Sequence, residues 1–282
     1  MRTLVFGAKG QLGRDLLDVF DREGEVLGHD LPEVNIAYEP HVQAAVAAFG
    51  PDLIVNAAAY TDVDGAEDNL ETAFLTNEVG ARNLAEIAEY YHIPMVHIST
   101  DYVFDGSKKT PYEPEDSISP LGVYGKTKAA GEAAVRKANP RHFIVRTAWL
   151  YGPGGNNFVE KILRLAKKGG PLRVVCDEEG SPTHTLDLAE AVLALARTDA
   201  FGVYHAVNDG ACSRFELARE ILDRAGIGVR LEACVANDFP TKARRPAYSV
   251  LSNAKIERAT GHTMRSWEAA LADYMIRRTA SS

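Results

Sequence analysis

Tyr124 and Lys128, four residues apart, form the pairing in this chain with the most obvious chemistry. On a helix, positions i and i+4 share a face. An ammonium there stands beside a phenol that otherwise titrates near pH ~10, favours its phenolate and brings proton exchange toward neutrality. Lys128 is also placed to bond a ribose hydroxyl, whereas Lys126 lies elsewhere on the same helix. Upstream, Ser99-Thr100-Asp101-Tyr102 closes a β-rich run. A hydroxyl at such a sheet edge can bond a carbonyl oxygen and set its polarity. Each feature alone has a plainer explanation: Tyr-x-x-x-Lys also suits an exposed helix face, and a Ser/Thr/Asp string can satisfy its own backbone.

A second group of residues is suited to binding. Gly7, Gly10 and Gly13 stand in G-A-K-G-Q-L-G, directly after the first β-run and at the start of a helical pattern. Glycine lets the backbone turn tightly and approach a pyrophosphate, and the free N–H groups and dipole of a helix start favour negative charge. The spacing is G-x-x-G-x-x-G rather than the general G-x-G-x-x-G, so position carries more weight than pattern. Asp30, twenty residues after Gly10, ends the second β-run. There a carboxylate can accept bonds from a ribose and repel a 2′-phosphate, which favours NADH, or it can cap a loop. Asn56-Ala57-Ala58-Ala59 ends the third run with small residues that leave room for a cofactor to cross or for a helix to pack.

These residues need a scaffold, and the first half of the chain spells one. Strand-like runs Thr3–Phe6, Val26–His29, Leu53–Val55, Met95–Ile98 and Phe143–Val145 alternate with helical patterns. The helices are expected from about Gly13 to Phe20, His41 to Phe49, Leu84 to Tyr91 and Leu121 to Ala138, with a proline-rich loop over Gly106–Pro120. Such alternation predicts an α/β fold, a Rossmann-like doubly wound parallel sheet. Beyond Trp149 the pattern loosens, with helices expected near Phe158–Ala166, Leu186–Ala196, Phe215–Leu222 and Trp267–Met275 and strands near Leu172–Val175 and Val203–Val207. A boundary at Gly152-Pro153-Gly154-Gly155 divides a dinucleotide-binding part, 1–152, from a smaller C-terminal α/β substrate part, 153–282, whose strands are free to return to the first sheet.

On the substrate side, Lys242, Arg244 and Arg245 form the densest basic cluster. Arginine grips phosphate with paired bonds, so a diphosphate is a sensible ligand and a solvated charge run the alternative. Trp149 can cover a sugar face or join the core. Asn156 and Asn157 either cap a helix or bond substrate. His97, inside a strand, and Cys176 are expected to be packed and buried.

The 282 residues carry 39 acids against 31 Lys and Arg, a formal charge of −8, which argues against nucleic acid as a partner. Three scattered cysteines suggest neither disulfides nor zinc and fit a reducing cytoplasm. Eight histidines form no metal motif, and no apolar run is long enough to cross a membrane or serve as a signal peptide.

In order along the chain, the glycine loop, the strand-four hydroxyl and the Tyr/Lys helix resemble the extended short-chain dehydrogenase/reductase family. The similarity covers almost the whole length: G-A-K-G-Q-L-G at 7–13, V-N-A-A-A-Y-T at 55–61, S-T-D-Y-V-F-D-G at 99–106, P-L-G-V-Y-G-K-T-K at 120–128, R-T-A-W-L-Y-G at 146–152 and G-N-N-F at 155–158. The resemblance implies Tyr124 as proton donor, Lys128 as its partner and Thr100 as the carbonyl-polarising hydroxyl. It places Asp101 and Trp149 against a sugar nucleotide, and Gly10, Gln11, Leu12, Gly13, Arg14, Asp15, Asp30, Ala59, Tyr60 and Thr61 along NADH or NADPH. The implied reaction is reduction of the 4-keto group of dTDP-4-dehydro-β-L-rhamnose, or of another 4-keto-6-deoxy nucleotide sugar. Related dehydratases carry Thr-Asp-Glu after strand four, and Tyr102 stands here in place of that glutamate. Asp101 stands where related 4-epimerases have a small residue. A non-catalytic nucleotide-binding regulatory subunit of the same fold is the rival from another class, and retention of Thr100, Tyr124 and Lys128 weighs against it. The family further implies a homodimer, in some members bridged by Mg²⁺, for which no ligand set can be placed in this chain.

Overall fold

In the computed structural model, which describes residues 1–280, the first half runs β1 (Thr3–Phe6), α1 (Gln11–Phe20), β2 (Val26–His29), α2 (Glu39–Phe49), β3 (Leu53–Asn56), α3 (Val63–Asp68), α4 (Leu70–Phe74), a π-helical stretch Leu75–Gly80, α5 (Ala81–Tyr90), β4 (Met95–Thr100), α6 (Val123–Ala138) and β5 (His142–Thr147). The second half adds β6 (Leu150–Tyr151), α7 (Phe158–Lys167), β7 (Leu172–Val175), β8 (Glu179–Gly180), β9 (Thr183–His184), α8 (Thr185–Ala196), β10 (Gly202–His205), β11 (Cys212–Ser213), α9 (Arg214–Ala225), β12 (Leu231–Cys234), α10 (Ala254–Thr260) and α11 (Trp267–Ala280).

Six of these strands form one parallel sheet in the order β10-β5-β4-β3-β1-β2. β1 and β3 are buried along their whole length, as parallel strands covered on both faces must be. One face packs Leu12, Leu16 and Val19 of α1 against Leu188, Val192 and Leu195 of α8. The other holds Val42 and Val46 of α2 with Leu84 and Ile87 of α5. A further apolar cluster joins α7, α9 and α11 through Ile162, Leu217 and Leu271, next to the two-stranded pairs β7–β12, β8–β11 and β6–β9. The chain leaves β1 outward to β2 and returns on the other side at β3, so the carboxyl ends of β1 and β3 flank the crevice where such folds bind ligands.

The irregular second half contributes to the sheet as well. β10 pairs with β5 in register Gly202↔Phe143, and α8 covers α1. Between Val63 and Gly80, α3, α4 and the π-helical stretch occupy a region in which no apolar period was visible, because short helices leave too few turns to show one. Cys176 corrects an expectation. It is exposed, lying just past the end of β7, where the inward alternation of Leu172 and Val174 has stopped.

Gly13 shows how tightly the layers close, since a Cβ there would stand 2.1 Å from the Gly7 carbonyl oxygen and 2.7 Å from the Ala8 Cα. Both neighbours are backbone and cannot step aside. Gly13→Ala is expected to cost about 1–3 kcal/mol and lower the melting temperature by roughly 3–10 °C; thermal unfolding followed by circular dichroism measures it.

Candidate active site

The turn after β1 leaves a bare helix start. Gly7 sits at φ +84°, and a Cβ on it would come within 2.5 Å of the Ala58 nitrogen, so the β1 and β3 turns touch through glycine. Gly10 is the N-cap of α1, with no side-chain cap and no acidic residue in the first turn. The N–H groups of Gln11, Leu12 and Gly13 therefore point out of the helix end without an intrahelical acceptor. Such a start, with no Cβ over it, fits a pyrophosphate. Asp30 lies beside it but is already engaged: its carboxylate accepts from the backbone N–H of Lys9 at 2.8 Å and of Leu31 at 2.7 Å. The loop-capping use anticipated for this carboxylate is thus realised. Ala59, Tyr60 and Thr61 continue from β3, and the Asn77 side chain pins both the N–H (2.8 Å) and the carbonyl (3.1 Å) of Tyr60.

β4 extends through Thr100, so Ser99 and Thr100 are its last two residues. The Thr100 hydroxyl donates to Asp101 Oδ1 at 3.0 Å. Across from it, α6 presents Tyr124 and, one turn on, Lys128, while Lys126 is exposed. Burial of the Tyr124 hydroxyl raises its pKa above the ordinary tyrosine value, and hydrogen bonding to Thr100 only partly opposes this. Lys128 is buried, and its Nζ donates to the Ile98 carbonyl at 2.7 Å. Burial lowers its pKa to about 8, with Glu132 pulling the other way. The expectation that Lys128 depresses the Tyr124 pKa therefore needs revision, because desolvation of the phenol dominates. His97, expected to be packed, is buried against Asn56, with Asn56 Nδ2 and His97 Nδ1 3.1 Å apart.

Asp101 forms the floor beside Thr100. It is 2% exposed, and its Oδ2 is buried without a partner. Desolvation raises its pKa to about 6, opposed in part by the Thr100 hydroxyl and the Arg214 charge. The Tyr102 ring meets the Tyr124 ring edge-on at 5.5 Å. Trp149 adopts φ +46°, and a Cβ on Gly180 would stand 2.4 Å from its indole. The Arg214 guanidinium lies over that ring, 3.4 Å from its centroid, and 3.9 Å from Glu178.

Other anticipated residues sit elsewhere. Asn157 caps α7 by accepting from the Glu160 N–H at 3.1 Å, and its Nδ2 donates to Gln11 Oε1 at 3.2 Å, so it belongs to the glycine-loop side. In the basic cluster, Lys242 pairs with Asp68, and Arg245 Nη2 donates to Asp64 at 2.8 Å. Arg245 Nε is buried without a partner, and Arg244 is exposed. Arg214 and Glu178 were not singled out from the sequence. The Ser213–Glu216 capping box signals a helix start at Arg214, but no spacing places that start over Trp149. Among the described residues no three His, Cys, Asp or Glu side chains are grouped to hold a metal ion, and no helix is long and apolar enough to cross a membrane.

Comparison with known proteins agrees with this geometry. Residues 1–280 match the family model described as the RmlD substrate binding domain. A dTDP-4-dehydrorhamnose reductase of Mycobacterium tuberculosis is 42% identical over 96% of this chain and 91% of its own length. A crystal structure of a dTDP-4-dehydrorhamnose reductase from Clostridium acetobutylicum superposes with a TM-score of 0.96 at 40% identity, covering 99% of this chain and 100% of that one. A second, from Bacillus anthracis in complex with NADP, gives 0.95 at 37% identity, covering 98% and 99%. With its full described length matched by the family model and its fold superposing on that of the Clostridium acetobutylicum enzyme, the chain belongs to the RmlD substrate-binding family.

Proposed function

We propose that this protein is an NAD(P)H-dependent oxidoreductase that reduces the 4-keto group of dTDP-4-dehydro-β-L-rhamnose to give dTDP-β-L-rhamnose. The observation that carries the reading is the meeting of Thr100, Tyr124 and Lys128 at the carboxyl edge of β4, beside an uncapped helix start suited to a pyrophosphate. Gly7, Gly10, Gln11, Leu12 and Gly13 would hold the dinucleotide, with Asp30, Ala59, Tyr60 and Thr61 along its path. Reduced nicotinamide, when bound, supplies hydride to the ketone carbon. Thr100 bonds the ketone oxygen, and Tyr124 gives that oxygen the proton that completes the alcohol. A phenol whose pKa is raised by burial is protonated at neutrality, the state a donor must be in. Lys128 keeps a positive charge beneath it up to about pH 8. Asp101, Trp149, Arg244 and Arg245 form the substrate side, joined by Arg214, whose charge acts on Asp101 and Tyr102.

The sugar nucleotide is a small-molecule partner, and the reading includes a cytoplasmic location, no nucleic acid and a homodimer. The Asp30 carboxylate opposes a 2′-phosphate but is already engaged by the backbone N–H groups of Lys9 and Leu31, so NADH and NADPH are both assigned as donors. Assaying dTDP-, UDP- and GDP-linked 4-keto sugars with each dinucleotide, by loss of reduced-nicotinamide absorbance, fixes both preferences. Tyr124→Phe is expected to fold and bind dinucleotide yet lose at least ~100-fold in turnover; unchanged turnover removes the assignment.

Asp101 yields a second expectation. Its carboxyl is ordinary in the unfolded chain, at 3.8, and raised to about 6 in the fold, so the native state binds more protons and stability falls as pH rises between those values. Asp101→Asn removes that cost. The variant is expected to melt about 2–6 °C higher at pH 7.5, with the gain fading toward pH 4, and to turn over about tenfold more slowly or worse. Melting curves across pH with parallel assays test both halves.

A further inference from the structure

Glu132 extends the Tyr124–Lys128 face of α6 by one more turn and takes no part in the chemistry above. It is wholly buried. Ser99 Oγ donates to its Oε1 at 2.6 Å, and Arg146, 2% exposed, donates to both oxygens, Nε to Oε1 at 2.9 Å and Nη2 to Oε2 at 2.8 Å. Arg146 is fixed in turn by the Pro114 carbonyl at 3.2 Å and by the Phe104 ring, 5.1 Å from centroid to guanidinium. Its backbone stands opposite Ser99 in the β4–β5 register.

A buried ion pair of this kind is weak support for stability, since apolar residues of similar volume often serve as well. Its placement is the informative part. Two consecutive residues of β4 are gripped by two consecutive turns of one face of α6: the Ile98 carbonyl by Lys128 and the Ser99 hydroxyl by Glu132. Thr100 follows Ser99 on β4 and Tyr124 lies one turn before Lys128 on α6, so both are chain neighbours of the gripped residues.

We propose that Glu132, clamped by Arg146 and Ser99, is a positioning residue that sets the axial register of α6 on β4 and thereby holds Lys128 and Tyr124 at the level of Thr100. The proposal rests on the reductase reading for its catalytic consequence but not for its geometry. Glu132 is also the neighbouring charge that sustains the Lys128 ammonium. The charges around this pair are His97 on β4, which burial keeps neutral, Arg146 on β5, bound to Glu132, and Arg136 on α6, whose Nη1 lies 3.5 Å from Glu132 Oε2. Removing the carboxylate leaves desolvation unopposed, so Lys128 loses its proton at lower pH.

Two variants test this in the full-length protein. Glu132→Gln keeps the shape and deletes the charge. Because it strands a buried guanidinium, Glu132→Leu with Arg146→Leu serves as a second variant that keeps apolar packing. Lys128 is followed by ¹³C-lysine NMR, assigned with Lys128→Met, and turnover is measured from pH 6 to 10. In whichever variant folds, the Lys128 midpoint is expected to drop by about one pH unit, the low end for loss of a neighbouring opposite charge. The alkaline limb of kcat should move with it, and kcat should fall about tenfold while KM changes less than about twofold. A folded variant with native Lys128 titration and a native kcat profile overturns the proposal. Native protein that does not turn over the 4-keto sugar, but whose Lys128 midpoint still moves with Glu132, overturns the reductase reading alone.

Discussion

The bond from the Lys128 ammonium to the Ile98 carbonyl is the constraint on which the catalytic edge depends. An ammonium inside a helix–sheet seam is costly unless its protons are used, and one carbonyl of β4 uses the first of them. That bond requires α6 to lie almost in contact with its neighbours. Gly125 faces the Tyr102 carbonyl and Gly131 the Asn77 carbonyl, each with room for no more than 2.2 Å to a Cβ. Thr127, on another face of the same helix, receives a bond from Asn77 Nδ2 at 3.0 Å, and Asn77 also holds Tyr60. The helix that carries Tyr124 is therefore tied at once to the strand that carries Thr100 and to the loop after β3. A shift of α6 would disturb both together.

The electrostatics follow from the same depth of burial. Desolvation opposes charge on Tyr124, Asp101 and Lys128 alike, moving the two acids up and the base down. For a reduction this arrangement is coherent: the phenol keeps its proton until an alkoxide develops, and the ammonium stays charged through neutrality. Asp101 Oδ2 and Arg245 Nε are two of the ten buried side-chain polar atoms that have no partner among the described residues. Such atoms cost stability, and their retention beside Thr100 and Tyr102 is consistent with partners supplied by a ligand.

Much of the scaffold was legible from local pattern. β1, β3, β4 and β5 were visible as apolar runs because strands buried on both faces have no polar alternation to blur them, and G-A-K-G-Q-L-G fixed the first turn because glycine there answers a backbone clash within the same loop. Tyr124, Lys128 and Thr100 were legible as types in order, but the depth that raises the Tyr124 pKa was not, since burial is a property of the assembled seam. Three-dimensional partners were also hidden. Arg214 meets Trp149 across 65 residues of chain, Arg245 is neutralised by Asp64, and nothing in K-A-R-R-P announces that pairing. Asn157 could be read as cap or ligand contact, and the same amide does the capping and reaches Gln11.

A net charge of −8 sits awkwardly with the two proposed diphosphate ligands until the charges are located. The acids Asp64 and Asp68 lie on α3, where they bind Arg245 and Lys242, and Glu33 draws in Lys9. Near the glycine turn, α1 offers unpaired N–H groups and no acidic residue in its first turn, so the local field there is set by the helix end over a few ångströms. The overall charge, screened beyond about 8–10 Å at physiological salt, has little influence at that range. On the sugar side the Arg214 guanidinium is held in place by the Trp149 and Phe158 rings, with Glu178 only loosely engaged at 3.9 Å, which leaves its donors available to an incoming anion. On the proposed function, anion binding in this acidic protein would rest on the uncapped start of α1 and on Arg214 at the first residue of α9.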